Sequence, residues 1–251
     1  MTATGSRAGT GATLHIGTSG WHYKHWVGTF YPPRTSPAKM LGYYQERFRT
    51  VEVNNSFYQL PKKPALESWR NSTPDDFCFA VKGSRFLTHM KKLKDAETGL
   101  ARFFDAVEVL GPKMGPVLFQ LPPNWEVDSA RLESFLELLP TYHRYAFEFR
   151  NPTWEVDAIY ALLARFNAAH CAFDLAGYQS PIRLTTDFMY VRLHGPGGKY
   201  QGSYGDETLD GWARRIRKWR ADFSGVYVYF DNDDSGFAPA NAIRLKELLL
   251  D

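Results

Sequence analysis

The stretch RYAFEFRNPTW, residues 144–154, decides the fold of this chain. Bulky apolar residues alternate in it with small or charged ones, and a period of two residues is typical of a β-strand. Glu148 and Arg150 therefore point to the same side, just where the strand gives way to a loop. An acid and a base placed together at a strand end predict a functional site there.

Other segments along the chain also have the pattern of a strand, and segments with a helical pattern lie between most of them. With the opening stretch as the fifth, the predicted strands cover residues 14–18, 50–54, 77–82, 117–121, 170–175, 188–193 and 226–230. Apolar residues at helical spacing predict helices over residues 36–48, 64–71, 94–110, 128–139, 155–167, 209–223 and 241–250.

Eight strands that mostly alternate with helices predict an α/β protein, a parallel (β/α)8 barrel of the TIM type. The connection after the sixth strand is short, so the sixth helix is expected to be reduced or missing. A doubly wound open sheet is the alternative, but no G-x-G-x-x-G turn follows the first strand. Residues 1–12 are predicted to form a flexible tail, and residues 13–251 a single barrel domain.

Composition restricts the partners and the compartment. A net charge of +3 over 251 residues does not require nucleic acid, although it does not exclude it. The N-terminus has no apolar signal segment and no run is long enough for a membrane span, so no membrane partner is expected. Only Cys78 and Cys171 could pair, and both lie in apolar strand patterns, which favours buried thiols in a reducing cytoplasm. The oligomeric state cannot be predicted.

In a parallel barrel, alternate strand residues face the interior, and functional groups gather at the carboxyl ends of the strands. If the bulky apolar residues face the helices, the opposite face is unusually polar. It comprises His15, Gly17, Ser19, Glu52, Asn54, Lys82, Gln120, Glu148, Arg150, Asp174, Arg192, His194 and Asp231. Burying so many ionisable groups is costly unless they are paired or used, so a site is expected at this end.

Glu148 and Glu52 are the candidates for acid/base catalysis, because nearby cations can hold one ionised while burial raises the pKa of the other. His194 could shuttle protons. Each of the three could instead be structural, with the glutamates in ion pairs and the histidine hydrogen-bonded beside Gly195.

Lys82, Arg150 and Arg192 suit an anionic substrate or a developing oxyanion. Lys82 could alternatively form a Schiff base, as lysines in barrels can. A salt bridge is equally compatible with its apolar strand.

Aromatic loop residues are a further candidate binding surface, through stacking on sugar or base rings. They are Trp21, Tyr23, Trp26, Phe57, Tyr58, Trp125 and Trp154. The alternative is that they pack the loops as a lid over the barrel. The glycine-rich loop after the seventh strand could bind phosphate, but it lacks the G-x-x-x-x-G-K-[ST] pattern.

A metal site could be drawn from Glu148, Asp174, His194 and Asp231. No H-x-x-x-H or C-x-x-C spacing supports it, and neighbouring Arg150 would repel a cation. We therefore expect no metal and no cofactor. A serine hydrolase is not indicated either, because the G-x-S-x-G elbow is missing.

Eight short motifs, in order along nearly the whole chain, resemble the YecE-like family, known as domain of unknown function 72. They are GTSGW at 17–21, WVGTFYP at 26–32, VEVNNSFY at 51–58, KGSRFLTH at 82–89, QLPP at 120–123, EFRNPTW at 148–154, RLHG at 192–195 and YFDND at 229–233. The resemblance implies a TIM-type barrel and supplies no established reaction.

Carried over by these motifs, the implied site residues are Glu52, Asn54, Lys82, Arg85, His89, Gln120, Glu148, Arg150, Arg192, His194 and Asn232. One position departs from the pattern, since the family usually has asparagine where Asp231 stands here. That difference argues against Asp231 as an obligatory acid or metal ligand.

The sequence thus favours an enzyme that performs acid/base chemistry, as a hydrolase, isomerase or lyase, on a polar anionic or sugar-like small molecule. A phosphate or carboxylate would supply the anion. Expected catalytic residues are Glu148, Glu52, Lys82 and His194. Expected substrate-binding residues are Trp21, Asn54, Tyr58, Arg85, His89, Gln120, Arg150, Trp154, Arg192 and Asn232. The alternatives are a metal-dependent phosphodiesterase or nucleic-acid-repair barrel, and a ligand-binding protein without catalysis.

Overall fold

The structure, a computed structural model, describes residues 12–250. Its strands are β1 (Thr13–Thr18), β2 (Thr50–Val53), β3 (Cys78–Lys82), β4 (Met114–Leu121), β5 (Tyr145–Phe149), β6 (Ala169–Leu175), β7 (Tyr178–Gln179), β8 (Phe188–Leu193) and β9 (Gly225–Phe230). Its α-helices are α1 (Pro37–Gln45), α2 (Asn55–Tyr58), α3 (Lys63–Ser72), α4 (Glu97–Val107), α5 (Ser129–Glu137), α6 (Asp157–Arg165), α7 (Asp206–Asp222) and α8 (Phe237–Leu250). None of these helices is long and apolar enough to cross a membrane.

Eight of the strands are parallel and follow one another around a barrel, in the order β1, β9, β8, β6, β5, β4, β3 and β2. The two-residue strand β7 folds back antiparallel onto the end of β6 and is not part of the barrel wall. The prediction of a parallel eight-stranded barrel is therefore confirmed. Between β6 and β8 the chain forms no helix, as the short connection predicted.

The barrel closes between β1 and β2 through a single bridge, from Ser19 to Glu52. Below it, the buried hydroxyl of Tyr44 fills the gap between the two strands. It accepts a hydrogen bond from the amide of Thr18 at 3.0 Å and donates one to the carbonyl of Thr50 at 3.0 Å. A side chain from α1 thus satisfies backbone groups that a complete ladder would have paired.

Gly17 permits this close approach of β1 and β2. A Cβ atom at this position would lie 2.4 Å from the carbonyl oxygen of Thr50 and 2.9 Å from the Tyr44 hydroxyl. Neither contact is sterically allowed, and the carbonyl belongs to the backbone of the barrel wall. The glycine of the first motif is therefore explained by packing at the seam.

Two apolar clusters hold the barrel together, as alternation along the strands predicts. The larger one lies between the strands and the surrounding helices. The smaller one fills the amino-terminal half of the interior with Ala80, Leu118, Ala146, Ala169, Cys171, Phe188, Tyr190, Tyr227 and Tyr229. The buried ion pairs of the interior lie beyond this cluster, at the carboxyl end, which is where a barrel carries its site.

Three details of the structure differ from the sequence prediction. Residues 1–11 of the predicted tail lie outside the described residues, but Ala12 is buried and its amide donates to the carbonyl of Arg220 at 2.9 Å. Asp174 does not face the interior, because Cys171 and Phe173 occupy that face of β6. Cys78 and Cys171 are free thiols, as expected, although Cys78 is only partly buried.

Candidate functional site

Arg192 on β8 is the centre of the polar interior, and its side chain is completely buried. Its Nη2 contacts Glu52 Oε1 at 2.7 Å and Asp231 Oδ2 at 3.0 Å. Its Nη1 donates to Glu148 Oε2 at 3.0 Å. Carboxylates from β2, β5 and the end of β9 therefore converge on one guanidinium, whose planar set of donors suits several acceptors at once.

Glu52 is fully enclosed by hydrogen-bond donors. Besides Arg192, the Ser19 hydroxyl donates to its Oε1 at 2.6 Å and the Tyr190 hydroxyl donates to its Oε2 at 2.7 Å. Its side chain has no exposed surface. This geometry suits a carboxylate that orients Arg192, and the predicted role of Glu52 in proton transfer stays a prediction.

Glu148 lies between two guanidinium groups. Arg150 Nε donates to its Oε1, and Arg192 Nη1 donates to its Oε2. Burial alone would raise the pKa of Glu148, but the two arginines more than offset burial and hold the pKa well below its usual value. A carboxylate of this kind stays ionised at neutral pH, so it is a poor general acid.

His194 has its tautomer defined by its neighbours. Arg150 Nη2 lies 2.7 Å and Arg192 Nη1 lies 3.2 Å from its Nε2, and guanidinium groups can only donate. Nε2 must therefore carry the lone pair, so the proton lies on Nδ1, which is 3.0 Å from Asp231 Oδ2. The ring thus links the two arginines to Asp231.

Asp231 completes this network, although only one of its oxygens is used. Burial would raise the pKa of Asp231, but the Arg192 guanidinium and the hydrogen bond from His194 lower it below the usual value. Oδ2 receives both contacts, whereas Oδ1 has no partner among the described residues. We call Glu52, Glu148, Arg150, Arg192, His194 and Asp231 the Arg192 network.

Lys82, at the carboxyl end of β3, differs from every member of that network. Only 8% of its surface is exposed, yet within residues 12–250 its ammonium group has no hydrogen-bond or ion-pair partner. The Nζ atom lies 4.4 Å from the ring centre of Phe57, a cation–π distance. Burial, helped by the positive charge of Arg192, lowers the pKa of Lys82 to about 8.

A cavity of about 410 Å³ opens above the network on one side of Lys82, and we call it the basic lobe. Its lining is Phe57, Tyr58, Lys82, Arg85, His89, Gln120, Pro123, Arg150, Leu175, Lys199 and Tyr200. Burial and the charges of Lys82 and Arg85 lower the pKa of His89 to about 4, so this histidine is neutral at pH 7. The positive charge of the lobe comes from Lys82, Arg85, Arg150 and Lys199, and no carboxylate lines it.

A second cavity of about 350 Å³ lies on the other side of Lys82, and we call it the acidic lobe. It is lined by Tyr23, Asn54, Phe57, Tyr58, Lys82, Tyr200, Asp231, Asp233 and Asp234. Both lobes share Phe57, Tyr58, Lys82 and Tyr200. The barrel mouth is thus one cleft with opposite charges at its two ends and Lys82 between them.

The predicted site residues fall into three groups. The first group lines the cleft and consists of Asn54, Tyr58, Lys82, Arg85, His89, Gln120 and Arg150. A second group lies beneath it in the Arg192 network and consists of Glu52, Glu148, Arg192 and His194. The remaining three, Trp21, Trp154 and Asn232, line neither lobe.

Trp21 and Trp154 were predicted to contact substrate, and the structure contradicts this. Trp21 packs edge-on against Trp69, at 4.8 Å between ring centres. Trp154 stacks on Phe149 at 5.1 Å, and its indole donates to the carbonyl of Trp125. Both rings are buried in the packing around the barrel, because a flat apolar surface contributes most when it is covered.

Asn232 and Asp174 also serve the loops instead of lining the cleft. Asn232 donates through Nδ2 to the carbonyl of Gly202 and to Asn241 Oδ1, both at 2.8 Å, and thereby holds the glycine-rich loop. Asp174 accepts from the Tyr204 hydroxyl at 3.2 Å and from Gln179 Nε2 at 2.9 Å. Both residues fix the loop that places Tyr200 over the cleft.

Four polar cleft residues were not predicted: Lys199 and Tyr200 in the glycine-rich loop, and Asp233 and Asp234 after β9. All four follow the carboxyl ends of the last two barrel strands, and that position was the available signal. Side-chain direction in a long loop has no period, so the sequence could not show which loop residues turn inward.

The donors of the metal site that the sequence suggested come together only in part. Glu148, His194 and Asp231 meet, but the cation among them is the guanidinium of Arg192, and Asp174 lies elsewhere. Over residues 12–250, no three histidine, cysteine, aspartate or glutamate side chains are grouped as metal ligands would be.

A cavity of similar size, about 400 Å³, lies at the amino end of the barrel. His15 stacks there on Tyr227 at 4.6 Å, and Arg144 donates to the Tyr227 hydroxyl at 3.0 Å. We place the candidate site at the mouth because the unpaired Lys82 and the strand carboxyl ends are there.

Comparison with known proteins agrees with this architecture. The chain is similar to the UPF0759 protein YunF of Bacillus subtilis, with 28% identity over 94% of each chain. It is 29% identical to the UPF0759 protein YecE of Escherichia coli K12 over 55% of this chain and 49% of that protein.

Solved structures show the same fold. A DUF72 family protein of Thermotoga maritima superposes with a TM-score of 0.87 and 27% identity, covering 95% of this chain and all of the other. A DUF72 family protein of Enterococcus faecalis has a TM-score of 0.81 at 17% identity, covering 95% and 96%. The model of the family described as "Protein of unknown function DUF72" matches residues 15–251, so the chain belongs to the DUF72 family.

Proposed function

We propose that this protein is an enzyme that binds a small phosphate- or carboxylate-bearing molecule in the basic lobe and performs acid/base chemistry on it. The observation that carries the proposal is Lys82, which is only 8% exposed, lines the cleft and has no partner for its ammonium group among the described residues. An unpaired buried charge is unfavourable for folding alone, so its presence favours a ligand that completes it.

The surroundings of Lys82 favour an anion. Arg85 and Lys199 line the same lobe, and the described residues give neither an ion pair. Arg150 lines it as well, although Glu148 already neutralises that guanidinium. A volume of about 410 Å³ lies in the range of small-molecule sites.

Proton transfer is best assigned to Lys82. With a pKa of about 8, its amine changes protonation near neutral pH, which a general base or acid requires. Glu148 remains ionised, and both nitrogens of His194 are engaged. Glu52, Glu148 and His194 then act through their hold on Arg150 and Arg192. Hydrolysis, isomerisation and lyase chemistry are all compatible with one basic amine beside an anion site.

Calorimetric titration with inorganic phosphate tests the binding step. Wild type should bind, Lys82→Met should bind at least about tenfold more weakly, and the exposed control Lys218→Met should match wild type. Wild-type affinity should fall as the pH rises through 8, because Lys82 loses its charge there. Binding of neutral sugars with no response to phosphate would contradict the proposal.

Catalysis needs a separate measurement. Compounds that raise the melting temperature should be incubated with wild type and with Lys82→Met, and their conversion followed by mass spectrometry. Turnover by wild type alone supports an enzyme. Tight binding without any conversion would favour the ligand-binding protein instead. The free thiols of Cys78 and Cys171 support the cytoplasm as its compartment.

A further inference from the structure

We infer that the ligand of this cleft is dipolar, with an amino group bound in the acidic lobe and the anionic group in the basic lobe. This inference rests on the proposed function, because it takes the anion site as given. It adds the chemical group at the opposite end of the ligand, an amine. What carries it is the set of unused acceptors on the far side of Lys82.

Two acceptor oxygens in the acidic lobe lack donors. Asp231 uses Oδ2 for Arg192 and His194, and its Oδ1 has no partner among the described residues. Asn54 Oδ1 is buried and likewise unpartnered. A buried oxygen without a donor is costly, so a donor from the ligand would relieve Asn54 Oδ1. The same donor would also find Asp231 in the lining of the lobe, with its Oδ1 unused by the protein.

The charge of the lobe points to a cationic donor. Asp234 lines it and forms no ion pair among residues 12–250, whereas Asp233 is held by Trp26 and His25. An ammonium group supplies three donors and one positive charge, which matches several oxygens around one space.

The aromatic walls favour the same group. Tyr23, Phe57, Tyr58 and Tyr200 line the lobe, and aromatic faces attract a desolvated ammonium. Phe57 already makes such a cation–π contact with the ammonium group of Lys82, and both residues lie where the two lobes meet.

A single molecule that spans both lobes satisfies every one of these groups. A simple anion would complete Lys82 but leave the acceptors of Asp231 and Asn54 unmet. A neutral sugar would donate to those acceptors but leave the ammonium of Lys82 without a counter-charge. A ligand with opposite charges at its two ends matches the cleft in charge as well as in hydrogen bonding, because its amino group also gives Asp234 a counter-charge.

The test uses pairs of compounds that differ only in the amino group. Dissociation constants are measured for 2-aminoethyl phosphate against n-propyl phosphate, and for 3-aminopropyl phosphate against n-butyl phosphate, at low ionic strength. In each pair an ammonium replaces a methyl group of similar size. At least one amino compound should bind about threefold to tenfold more tightly than its partner.

Variants locate the preference. Asp234→Asn and Asp231→Asn should both bring the affinity ratio of the better pair toward one, with the larger change for Asp231→Asn, while Asp222→Asn at the far end of α7 should keep the ratio. Asp234 is exposed, so its variant should fold even if Asp231→Asn does not.

Equal affinities within both pairs would overturn this inference and leave the anion site intact. A preference that survives Asp234→Asn and Asp231→Asn would overturn it too, because the amine would then be bound elsewhere. If none of the four phosphates binds, the proposed function fails together with the inference.

Discussion

The two layers of polar residues at the carboxyl end of the barrel differ in one respect. In the Arg192 network, every charged group has a partner. Glu52, for example, accepts hydrogen bonds from Ser19, Tyr190 and Arg192. Just above it, Lys82 is almost as deeply buried and has no partner in the described part of the chain. The lower layer is complete without a ligand, and the upper one is not.

This difference separates groups that organise the site from groups that use it. A buried ion pair is roughly neutral for stability when it is intact and strongly destabilising when one partner is removed. A buried unpaired charge is unfavourable from the start. Substitutions in the two layers should therefore change the free energy of unfolding in opposite directions.

The largest effect is expected for Glu52→Gln. It removes the counter-charge of Arg192 while the guanidinium stays buried, which should cost about 3–5 kcal/mol in the free energy of unfolding. Urea denaturation measures it. Glu46→Gln breaks an exposed pair with Arg47 and should cost at most about 1 kcal/mol. Equal, small losses for both would mean that the network does not support the fold.

Glu148→Gln should change how stability depends on pH. The folded pKa of Glu148 lies well below its ordinary value of 4.5, so its charge contributes stability that is present above pH 4.5 and is lost as the pH falls through the folded value. The variant should be less stable than wild type at pH 7, and the gap should narrow in acid. Denaturation curves from pH 7 to pH 3 show this, and a constant gap would contradict the pairing with Arg150 and Arg192.

A smaller loss is expected at the seam between β1 and β2. The Tyr44 hydroxyl there is fully paired without a ligand, as are the charged groups of the Arg192 network. Tyr44→Phe leaves the amide of Thr18 and the carbonyl of Thr50 without their partner, at a cost of about 1–2 kcal/mol. Amide exchange of Thr18 should accelerate in the variant. Unchanged exchange would show that β1 and β2 are held by other contacts.

Strand periodicity carried most of the fold prediction. Glu148 and Arg150 identified β5 because charged residues on one face and bulky apolar residues on the other are typical of a strand with one polar side. The missing helix after β6 was equally visible from the length of the connection. Asp174 was misassigned because the alternative face of β6 presents Cys171 and Phe173, which are as apolar as the residues expected to face the helices.

The sequence predicted the charged residues at the strand ends that line the cleft, and the aromatics Tyr23, Phe57 and Tyr58, but it missed four loop residues and misplaced two tryptophans. Charge at a strand end restricts where a side chain can point, and Lys82 and Arg150 line the cleft as expected. A tryptophan such as Trp154 is favourable in a lid, a binding surface or a packed core alike, so its type alone does not decide. The position of Tyr200 depends on how the glycine-rich loop folds, and a loop has no repeating sequence pattern from which that position can be predicted.

The denaturation of Lys82→Met between pH 6 and pH 10 tests most directly whether Lys82 is held for a ligand. The folded pKa of Lys82 is lowered from 10.5 to about 8, so burying the charge costs up to about 3 kcal/mol below pH 8, and this cost disappears as the pH rises toward 10.5. We predict that Lys82→Met is more stable than wild type at pH 7, with an advantage that shrinks above pH 8. A variant that is less stable than wild type at every pH would show that Lys82 is a structural residue and would contradict its assignment to ligand binding.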